Sequence, residues 1–317
     1  MIVIGDIHLK AKQPYITHLN NFLTWLLYNY NDEKMLFLGD IFQSSAPRWD
    51  TFNVMKQFLY YRKNSTYILT GNHDRSSNKG NAIRGLQYSY TKRNLELIKN
   101  VFIYEDKEIV DIDGIKWMML PYIHGEGMKK YEEITDTVDI CATHVVPMEC
   151  AFVGEGIQLN VDTKLYIHGH THIATEFVDK YDRQHSVIGV PIATRHGEFN
   201  KGVIYNVKDA DNIDVIDVPM QLVYENVEFG DEPKDKNSVI NILNAPDPKS
   251  AVMKYKEHFI RSVQYKKYTD EISVTCEFKT KTKENFLDLA KKEEYDSDLI
   301  NTCLYYLDFV EDEVENV

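Results

Sequence analysis

Apolar runs of strand length alternate with amphipathic segments of helical period at the start of the chain. Residues 1–5 (MIVIG), 34–40 (KMLFLGD) and 65–72 (STYILTGN) are short apolar runs that close on a glycine with a polar residue beside it. Residues 15–30 (YITHLNNFLTWLLYNY) and 51–62 (TFNVMKQFLYYR) repeat apolar residues at helical spacing. The pattern predicts strand, helix, strand, helix, strand, which is typical of a layered α/β fold.

The pattern becomes rich in strands after about residue 100, and these runs are expected to form a second sheet packed on the first. They are residues 100–105, 108–112, 115–123, 138–144, 164–170, 185–190, 202–207 and 213–218. Each is an apolar or alternating run bounded by polar or turn-forming residues, as in strands with at least one buried face. We therefore predict a two-sheet α/β sandwich.

A polar segment at Phe229–Ser238 contains glycine and proline and is interpreted as a linker. This interpretation gives a first domain over residues 1–228 and a small α+β capping domain over residues 229–295. Residues 296–317 are predicted to form an amphipathic helix with an acidic tail, Glu311–Glu315. Ser297 is a suitable N-cap, and an apolar stripe follows at Ile300, Cys303, Leu304, Leu307 and Val310. The stripe packs either on the capping domain or in a groove of a partner protein.

The composition is that of an intracellular globular protein. The chain has 317 residues, 43% of them hydrophobic, and no apolar run approaches the roughly 20 residues of a membrane span. No export signal is visible at the N-terminus. The four cysteines contain no C-x-x-C pair and are interpreted as reduced thiols: Cys141, Cys150, Cys276 and Cys303. A cytoplasmic location without membrane contact is expected.

The distribution of charge leaves nucleic acid open as a partner, although the net charge is −13. The part from Pro219 onward carries −8 of it, and the first 218 residues carry −5. The segment Arg75–Arg93 contains no acid, and it includes Tyr88 and Tyr90. Its basic residues are candidate DNA contacts, namely Arg75, Lys79, Arg84, Lys92 and Arg93. The alternative for this segment is a solvated loop followed by an ordinary helix.

Carboxylates, an amide and imidazoles collect where the predicted strands end. Residues at i and i+2 of a strand point the same way and lie about 6.6 Å apart, so each closely spaced pair could reach one pair of ions. Mixed oxygen and nitrogen ligands suit manganese, iron or zinc. Asp40 is the candidate for the shared carboxylate that two ions about 3.5–4 Å apart require. The candidates are Asp6, His8, Asp40, Asn72, His73, Asp74, His144, His170 and His172.

Each of these residues also has an ordinary structural interpretation. A single D-x-H is in most proteins a chance occurrence or a turn, and Gly-Asp after a strand is usually a helix cap. His144 alone would be a hydrogen-bonded histidine at a strand end. His168 is interpreted as a structural strand residue, since a regular strand would place it about 13 Å from His172. The metal hypothesis rests on five such elements in order, each at a predicted strand end.

These five elements resemble the motifs of calcineurin-like metallophosphoesterases. GDIH, GDIF, GNHD, the histidine of ATH, and GHTH match in order over residues 5–172. The resemblance implies that one metal is held by Asp6, His8, Asp40 and His172. It implies that the other is held by Asp40, Asn72, His144 and His170. By the same resemblance, His73 would lie beside the scissile phosphate, stabilise the transition state and help to protonate the leaving oxygen.

Two further segments resemble the SbcD-type DNA-repair nuclease subunits of this superfamily. They are Val187–Val207 (VIGVPIATRHGEFNKGVIYNV) and Leu120–Tyr122. The chain departs from these relatives at Gln43, where many carry histidine or aspartate, which puts a proton shuttle at that position in doubt. It also departs at His196, which replaces the usual phenylalanine and is interpreted as a packing change. The compact C-terminal part points to a phage-type member.

The leading hypothesis is a manganese-dependent DNA nuclease subunit that hydrolyses phosphodiester bonds with two ions, with magnesium, iron or zinc as other options. By resemblance, it would act with an SbcC-like ATPase of the SMC family, which binds the C-terminal region, and would form a homodimer. The second hypothesis is a small-molecule phosphodiesterase with the same metal core. The third is a noncatalytic scaffold, and the complete ligand set argues against it.

Overall fold

The first of two six-stranded sheets has a central parallel part and an antiparallel edge. The computed structural model describes residues 1–75, 91–123, 125–150, 156–193, 202–234 and 238–265. Numbered along the chain, the strands of the first sheet are β1 (Ile2–Ile4), β2 (Met35–Phe37), β3 (Thr66–Leu69), β4 (Val101–Tyr104), β11 (Val203–Val207) and β12 (Ile213–Asp217). Their order is β12-β11-β1-β2-β3-β4. The strands β1 to β4 are parallel, and β11 runs antiparallel to both neighbours.

The second sheet also has parallel strands in the centre, but it has one antiparallel strand at each edge. Its strands are β5 (Glu108–Ile112), β6 (Ile115–Leu120), β7 (Ile140–Thr143), β8 (Leu165–His168), β9 (Thr175–Val178) and β10 (Gln184–Val187). Their order is β5-β6-β7-β8-β10-β9. The strands β6, β7, β8 and β10 are parallel. The carboxyl ends of parallel strands share one edge of a sheet, so their loops collect there.

Helices α1 (Tyr15–Tyr30) and α2 (Trp49–Tyr61) connect the first three strands. The buried residues of α1 include Leu19, Phe22, Leu23 and Leu26, a spacing of i, i+3, i+4 and i+7 that places them on one face. Phe58 of α2 meets Phe37 of β2 edge to face, with ring centroids 5.9 Å apart. Residues 91–96 are also helical and precede β4.

The main core lies between the two sheets, and alternation along the strands explains which residues enter it. Leu36 of β2 belongs to this core, whereas Phe37 points to the opposite face and meets α2. In β6, Trp117 and Met119 belong to the same core, and Met118 belongs to a second cluster. The second cluster also contains buried residues from loops and 3₁₀ segments: Tyr131, Ile134, Val138, Ile157, Leu159 and Val161. Successive side chains of a strand point to opposite faces, so both faces of β6 are buried.

The predicted helices and strands are largely present, but the assignment of strands to sheets differs from the prediction. The runs that become β4, β11 and β12 were expected in the second sheet and lie in the first. The antiparallel edge strand β9 was not predicted. Its four residues are mostly exposed, and it lies at an edge of the sheet. A short, polar edge strand carries little of the hydrophobic signal used for prediction.

A second compact unit begins at Val223. It contains β13 (Tyr224–Glu228), β14 (Val239–Ala245) and β15 (Phe259–Tyr265), which form a parallel three-stranded sheet. Helix α3 (Pro248–Lys254) follows β14, and the Asp247 carboxylate accepts a hydrogen bond from the Ser250 N–H at 2.8 Å as its N-cap. The small core consists of Val227, Ile240, Ile242, Ala245, Ala251 and Tyr255.

The second unit begins at Val223, whereas the sequence predicted a boundary after residue 228. The difference arises because β13 pairs with β14 and so belongs to the second unit. The predicted linker 229–238 therefore connects two strands of one sheet and does not separate two domains. The predicted helix and tail over residues 296–317 lie outside the described residues. Among the described helices, none is long and apolar enough to cross a membrane.

Candidate metal centre

The candidate ligands all follow parallel strands, and loops from both sheets bring them together. Asp6 and His8 follow β1, Asp40 follows β2, and Asn72 and His73 follow β3 in the first sheet. His144 follows β7, and His170 and His172 follow β8 in the second sheet. Three groups of these side chains have candidate ligand atoms within 4.8 Å of one another: Asp6, His8 and His172; His8, Asp40 and His73; and Asp40, His144 and His170.

One side of the site is formed by Asp6, His8 and His172. The Nε2 atoms of His8 and His172 lie 3.0 Å apart. Nε2 of His172 lies 3.9 Å from Oδ2 of Asp6. Asp6 is 1% exposed and His8 is fully buried, so this side of the site is closed to solvent except at His172.

The other side is formed by Asn72, His144 and His170. Oδ1 of Asn72 lies 2.9 Å from Nδ1 of His170 and 3.1 Å from Nε2 of His144. The same two ring nitrogens lie 3.2 Å apart. An amide oxygen and two imidazole nitrogens therefore converge on one point.

Asp40 lies between the two sides. Its Oδ2 is 3.6 Å from Nε2 of His8 and 3.5 Å from Nε2 of His144. Its Oδ1 accepts a hydrogen bond from the backbone N–H of His73 at 2.8 Å. One carboxylate thus contacts both groups of imidazoles, which is the arrangement that a pair of ions with a shared ligand requires.

The electrostatics of the site fit a cation. Oδ2 of Asp6 is buried and has no hydrogen-bond partner in the described part of the chain. Burial raises the pKa of Asp6 to about 6. Burial would also raise the pKa of Asp40, but the imidazoles of His144 and His8 hold it well below its usual range. Buried carboxylates that lack donors are costly unless a positive charge compensates them. The mixed oxygen and nitrogen donors suit a divalent metal.

His144 and His73 each use Nδ1 in a hydrogen bond to a backbone carbonyl, which leaves Nε2 of each ring available to the site. Nδ1 of His144 lies 2.7 Å from the carbonyl oxygen of Leu38, so its N–H donates there and Nε2 is the nitrogen left for a metal ion. Burial lowers the pKa of His144, but Asp40 and Asp6 raise it to about 9, so a metal ion would displace a proton from Nε2. Nδ1 of His73 lies 2.9 Å from the carbonyl oxygen of Gln43. The backbone carbonyl of Gln43 therefore orients His73. Gln43 is the residue where many SbcD-type relatives carry histidine or aspartate.

The ligand pairs do not lie on regular strands, which corrects the prediction of i and i+2 residues on an extended segment. The strand β1 ends at Ile4 and β8 ends at His168. His8 and His170 adopt left-handed backbone conformations with φ of 43° and 68°. The histidines of each pair thus reach the site through turns. Tight packing accompanies these turns, since a Cβ added to Gly71 would lie 2.0 Å from Oδ1 of Asp40.

His168 lies apart from the three groups of candidate ligands. It is fully buried in β8, and its Nε2 lies 2.9 Å from Nδ1 of His185. The rings of Tyr166 and His185 stack nearly parallel to it. This environment is that of a packed structural histidine, as the sequence predicted.

Asp74 acts on the backbone of the loops. Its Oδ2 accepts hydrogen bonds from Gly71 N–H at 3.0 Å and Ile41 N–H at 3.3 Å, and its Oδ1 accepts from Phe42 N–H at 3.1 Å. Burial and the charge of Asp40 raise the pKa of Asp74 to about 7. The sequence placed Asp74 among the candidate ligands. In the structure, its carboxylate instead accepts backbone hydrogen bonds from the loops that carry Asp40 and Asn72.

The predicted DNA contacts have different environments. Nε of Arg75 donates to Oγ1 of Thr70 at 3.0 Å, and Arg93 is exposed. Lys92 forms ion pairs with Glu105 and, at 3.6 Å, with Glu96, and these carboxylates raise its pKa although burial lowers it. Acids from beyond the acid-free segment thus pair with Lys92, and its contact with DNA stays a prediction. Lys79 and Arg84 lie outside the described residues.

A family model supports the assignment that the motifs indicated. The model described as calcineurin-like phosphoesterase matches residues 1–174, which include every candidate ligand. The chain belongs to the calcineurin-like phosphoesterase family. The members of this family are phosphoesterases that use divalent metals.

Individual relatives of this phosphoesterase are distant. A UDP-2,3-diacylglucosamine hydrolase of Blochmanniella pennsylvanica (strain BPEN) is 35% identical over 82 residues, which cover 23% of this chain and 32% of that protein. The chain thus spans about a third of the curated relative that it matches. An archaeal phosphodiesterase shares 14% identity with a TM-score of 0.36, over 68% of this chain and 99% of that one. The Pseudomonas putida nuclease MPE shares 14% identity with a TM-score of 0.34, over 68% of this chain and 86% of that one.

Proposed function

We propose that this phosphoesterase is a manganese-dependent DNA nuclease subunit that hydrolyses phosphodiester bonds and acts with an SbcC-like ATPase. The observation that carries the hydrolytic part is the position of Asp40, whose Oδ2 lies within 3.6 Å of imidazoles from both sides of the site. Two bound ions would polarise a phosphoryl oxygen and supply a hydroxide at neutral pH. Asp6, His8, Asp40 and His172 would hold one, and Asp40, Asn72, His144 and His170 the other.

His73 is suited to the proton transfer of this reaction. Its backbone N–H donates to Asp40, and its Nδ1–H donates to the carbonyl of Gln43. These two bonds fix the ring and its tautomer, so Nε2 is the nitrogen that exchanges a proton with the substrate. A general acid that is oriented but not itself a ligand can protonate the leaving oxygen as the phosphodiester bond breaks.

The choice of DNA as substrate rests on the segment that resembles SbcD-type subunits. Its start packs against the metal loops, since Val190 N–H donates to the carbonyl of His172 and Ile188 N–H to that of His168, both at 3.1 Å. A Cβ added to Gly5, directly before Asp6, would lie 1.9 Å from the carbonyl oxygen of Gly189. The SbcD-like segment therefore supports the side of the centre formed by Asp6, His8 and His172, which links the subfamily signature to the site.

A small-molecule phosphodiesterase is the second candidate. It is favoured by the ion pairs of Lys92, which remove one of the cations that a DNA backbone would need near the site. The proposal includes DNA as the substrate, an SbcC-like ATPase as a partner, and a homodimer.

One assay separates the two candidates. The purified full-length protein is incubated with manganese and linear duplex DNA, single-stranded circles or bis(p-nitrophenyl) phosphate, with Asp40→Asn as the inactive control. A nuclease should cleave DNA, with activity that falls steeply as salt rises. Cleavage of the small ester alone would reject the nuclease proposal in favour of the second candidate.

A further inference from the structure

An aromatic ring outside the ligand set contacts both imidazoles on one side of the centre. Tyr122 follows β6, the neighbour of β7 in the second sheet. Its ring is nearly parallel to that of His170, with centroids 6.0 Å apart and planes at 13°. It meets His144 edge to face, with centroids 6.4 Å apart and planes at 85°. Both geometries lie in the range of favourable aromatic pairs.

The backbone around Tyr122 is fixed on both sides. Its own N–H donates to the carbonyl of Thr70 at 2.8 Å. Thr70 lies in the first sheet's loop, two residues before Asn72, so this bond joins the two sheets at the site. The carbonyl of the preceding Pro121 accepts a hydrogen bond from the buried hydroxyl of Tyr131 at 2.8 Å. The backbone that carries the Tyr122 ring is therefore held in place by two hydrogen bonds.

The contacts of Tyr122 concern only one side of the centre. Asn72 Oδ1, His144 Nε2 and His170 Nδ1 lie within 3.2 Å of one another, and Tyr122 touches both imidazoles and the loop of the amide. The aromatic neighbours of His8 are His73 and His172. Loss of the Tyr122 ring would remove a packing contact from both His144 and His170 and leave the contacts of the other side in place.

We propose that Tyr122 is a positioning residue that sets the affinity of the metal site formed by Asn72, His144 and His170 with Asp40. Its flat ring packs against both imidazole planes, which stand at 82° to each other while their ring nitrogens converge on one point. The electron-rich face of the ring also favours an imidazole polarised by a cation. Groups that orient ligands typically change metal affinity by about 10–100-fold. The inference rests on the proposed function only for the assignment of the ligands.

Calorimetric titration of the metal-free full-length protein with manganese tests the proposal. Wild type should bind two ions, and Tyr122→Phe should match it because the ring is kept. Tyr122→Leu should weaken one binding step by roughly 10-fold or more and leave the other unchanged. Tyr67→Leu is the matched control, since Tyr67 is also partly buried and stacks on Phe102 at 5.3 Å, but in β3. It should leave both steps unchanged.

Turnover of bis(p-nitrophenyl) phosphate gives a second readout. The low activity of Tyr122→Leu should return towards the wild-type kcat at saturating manganese, which a general loss of structure would not allow. If Tyr122→Leu does not fold by circular dichroism, Tyr122→Met offers the same test with a flexible side chain.

Several outcomes would overturn the proposal. They are two unchanged steps in Tyr122→Leu, an equal loss in both steps, a Tyr122→Phe variant as weak as Tyr122→Leu, or a wild type that binds no pair of ions. The proposed function fails separately. A wild type that binds two ions but cleaves only the small ester would reject the nuclease and leave the role of Tyr122 standing.

Discussion

The substitution Asp74→Asn tests how the first-sheet loops are held. The carboxylate of Asp74 is 4% exposed and accepts three backbone hydrogen bonds, from Ile41, Phe42 and Gly71. Asparagine has nearly the same shape but only one acceptor oxygen. In its best orientation, the amide oxygen keeps the bonds from Ile41 and Gly71, and the NH₂ group faces the N–H of Phe42.

The expected loss of stability follows from these three bonds. The N–H of Phe42 becomes an unsatisfied buried donor, which costs about 1–3 kcal/mol. The other two bonds lose their charged acceptor, at about 1 kcal/mol each. Burial and Asp40 raise the pKa of Asp74 to about 7, so the buried charge has a cost of its own that asparagine removes. At about 1.4 kcal/mol per pKa unit, the shift from 3.8 to about 7 makes this gain about 4 kcal/mol at neutral pH, which is similar to the loss, so we expect a net destabilisation of no more than about 1 kcal/mol.

Urea unfolding of the metal-free protein, followed by circular dichroism, measures this loss. The matched control is Asp211→Asn, which removes the same charge from an exposed ion pair with Lys164 at 3.3 Å. The control should change stability by less than about 0.5 kcal/mol. If Asp74→Asn is destabilised by more than about 3 kcal/mol at neutral pH, the buried charge does not offset the three hydrogen bonds and the reasoning is wrong. Manganese affinity should also fall, by about 10–100-fold, because the loops carry Asp40 and Asn72.

Five further variants test the roles of residues in and around the site. Asp40→Asn should lose high-affinity binding of both ions and nearly all hydrolysis, and metal analysis that still finds two tightly bound ions would reject the shared ligand. His73→Ala should keep metal and DNA binding but reduce kcat by about 10²-fold or more, and a loss confined to KM would contradict its role in the transition state. His168→Gln should cost little activity whereas His172→Gln abolishes it, and the reverse result would exchange their roles. Gly71→Ala should abolish metal binding, measured by calorimetry, because its Cβ would lie 2.0 Å from Oδ1 of Asp40.

The order of elements and the position of the loops could be predicted from the sequence because each depends on local pattern. Helix α1 occupies residues 15–30 as predicted, since its apolar residues define one continuous face. The candidate ligands cluster because parallel strands place their carboxyl ends on the same edge. The roles of Asp74 and Tyr122 could not be predicted, because each depends on contacts with residues distant in sequence.

The partition of strands between the sheets could not be predicted from hydrophobic pattern. The strand β11 contributes Val203, Tyr205 and Val207 to the core between the sheets, and β6 contributes Trp117 and Met119 to the same core. Both are apolar runs, and either could lie on either side of that core. What places β11 in the first sheet is its antiparallel pairing with β1, a contact across about 200 residues of sequence that a local pattern does not encode.

The residues of the site could be predicted from the sequence, but their geometry could not, because several of them lie in turns with unusual backbone conformations. His8, Asp40 and His170 all have positive φ, at 43°, 47° and 68°, a conformation that costs non-glycine residues of order 1 kcal/mol or more. Long-range hydrogen bonds hold these turns, including His8 N–H to the carbonyl of Asp40 at 2.9 Å and His170 N–H to Oδ1 of Asp6 at 3.2 Å. Each strained ligand is thus bonded to the loop of another ligand. The same contacts that offset the strain also fix the distances between imidazoles and carboxylates.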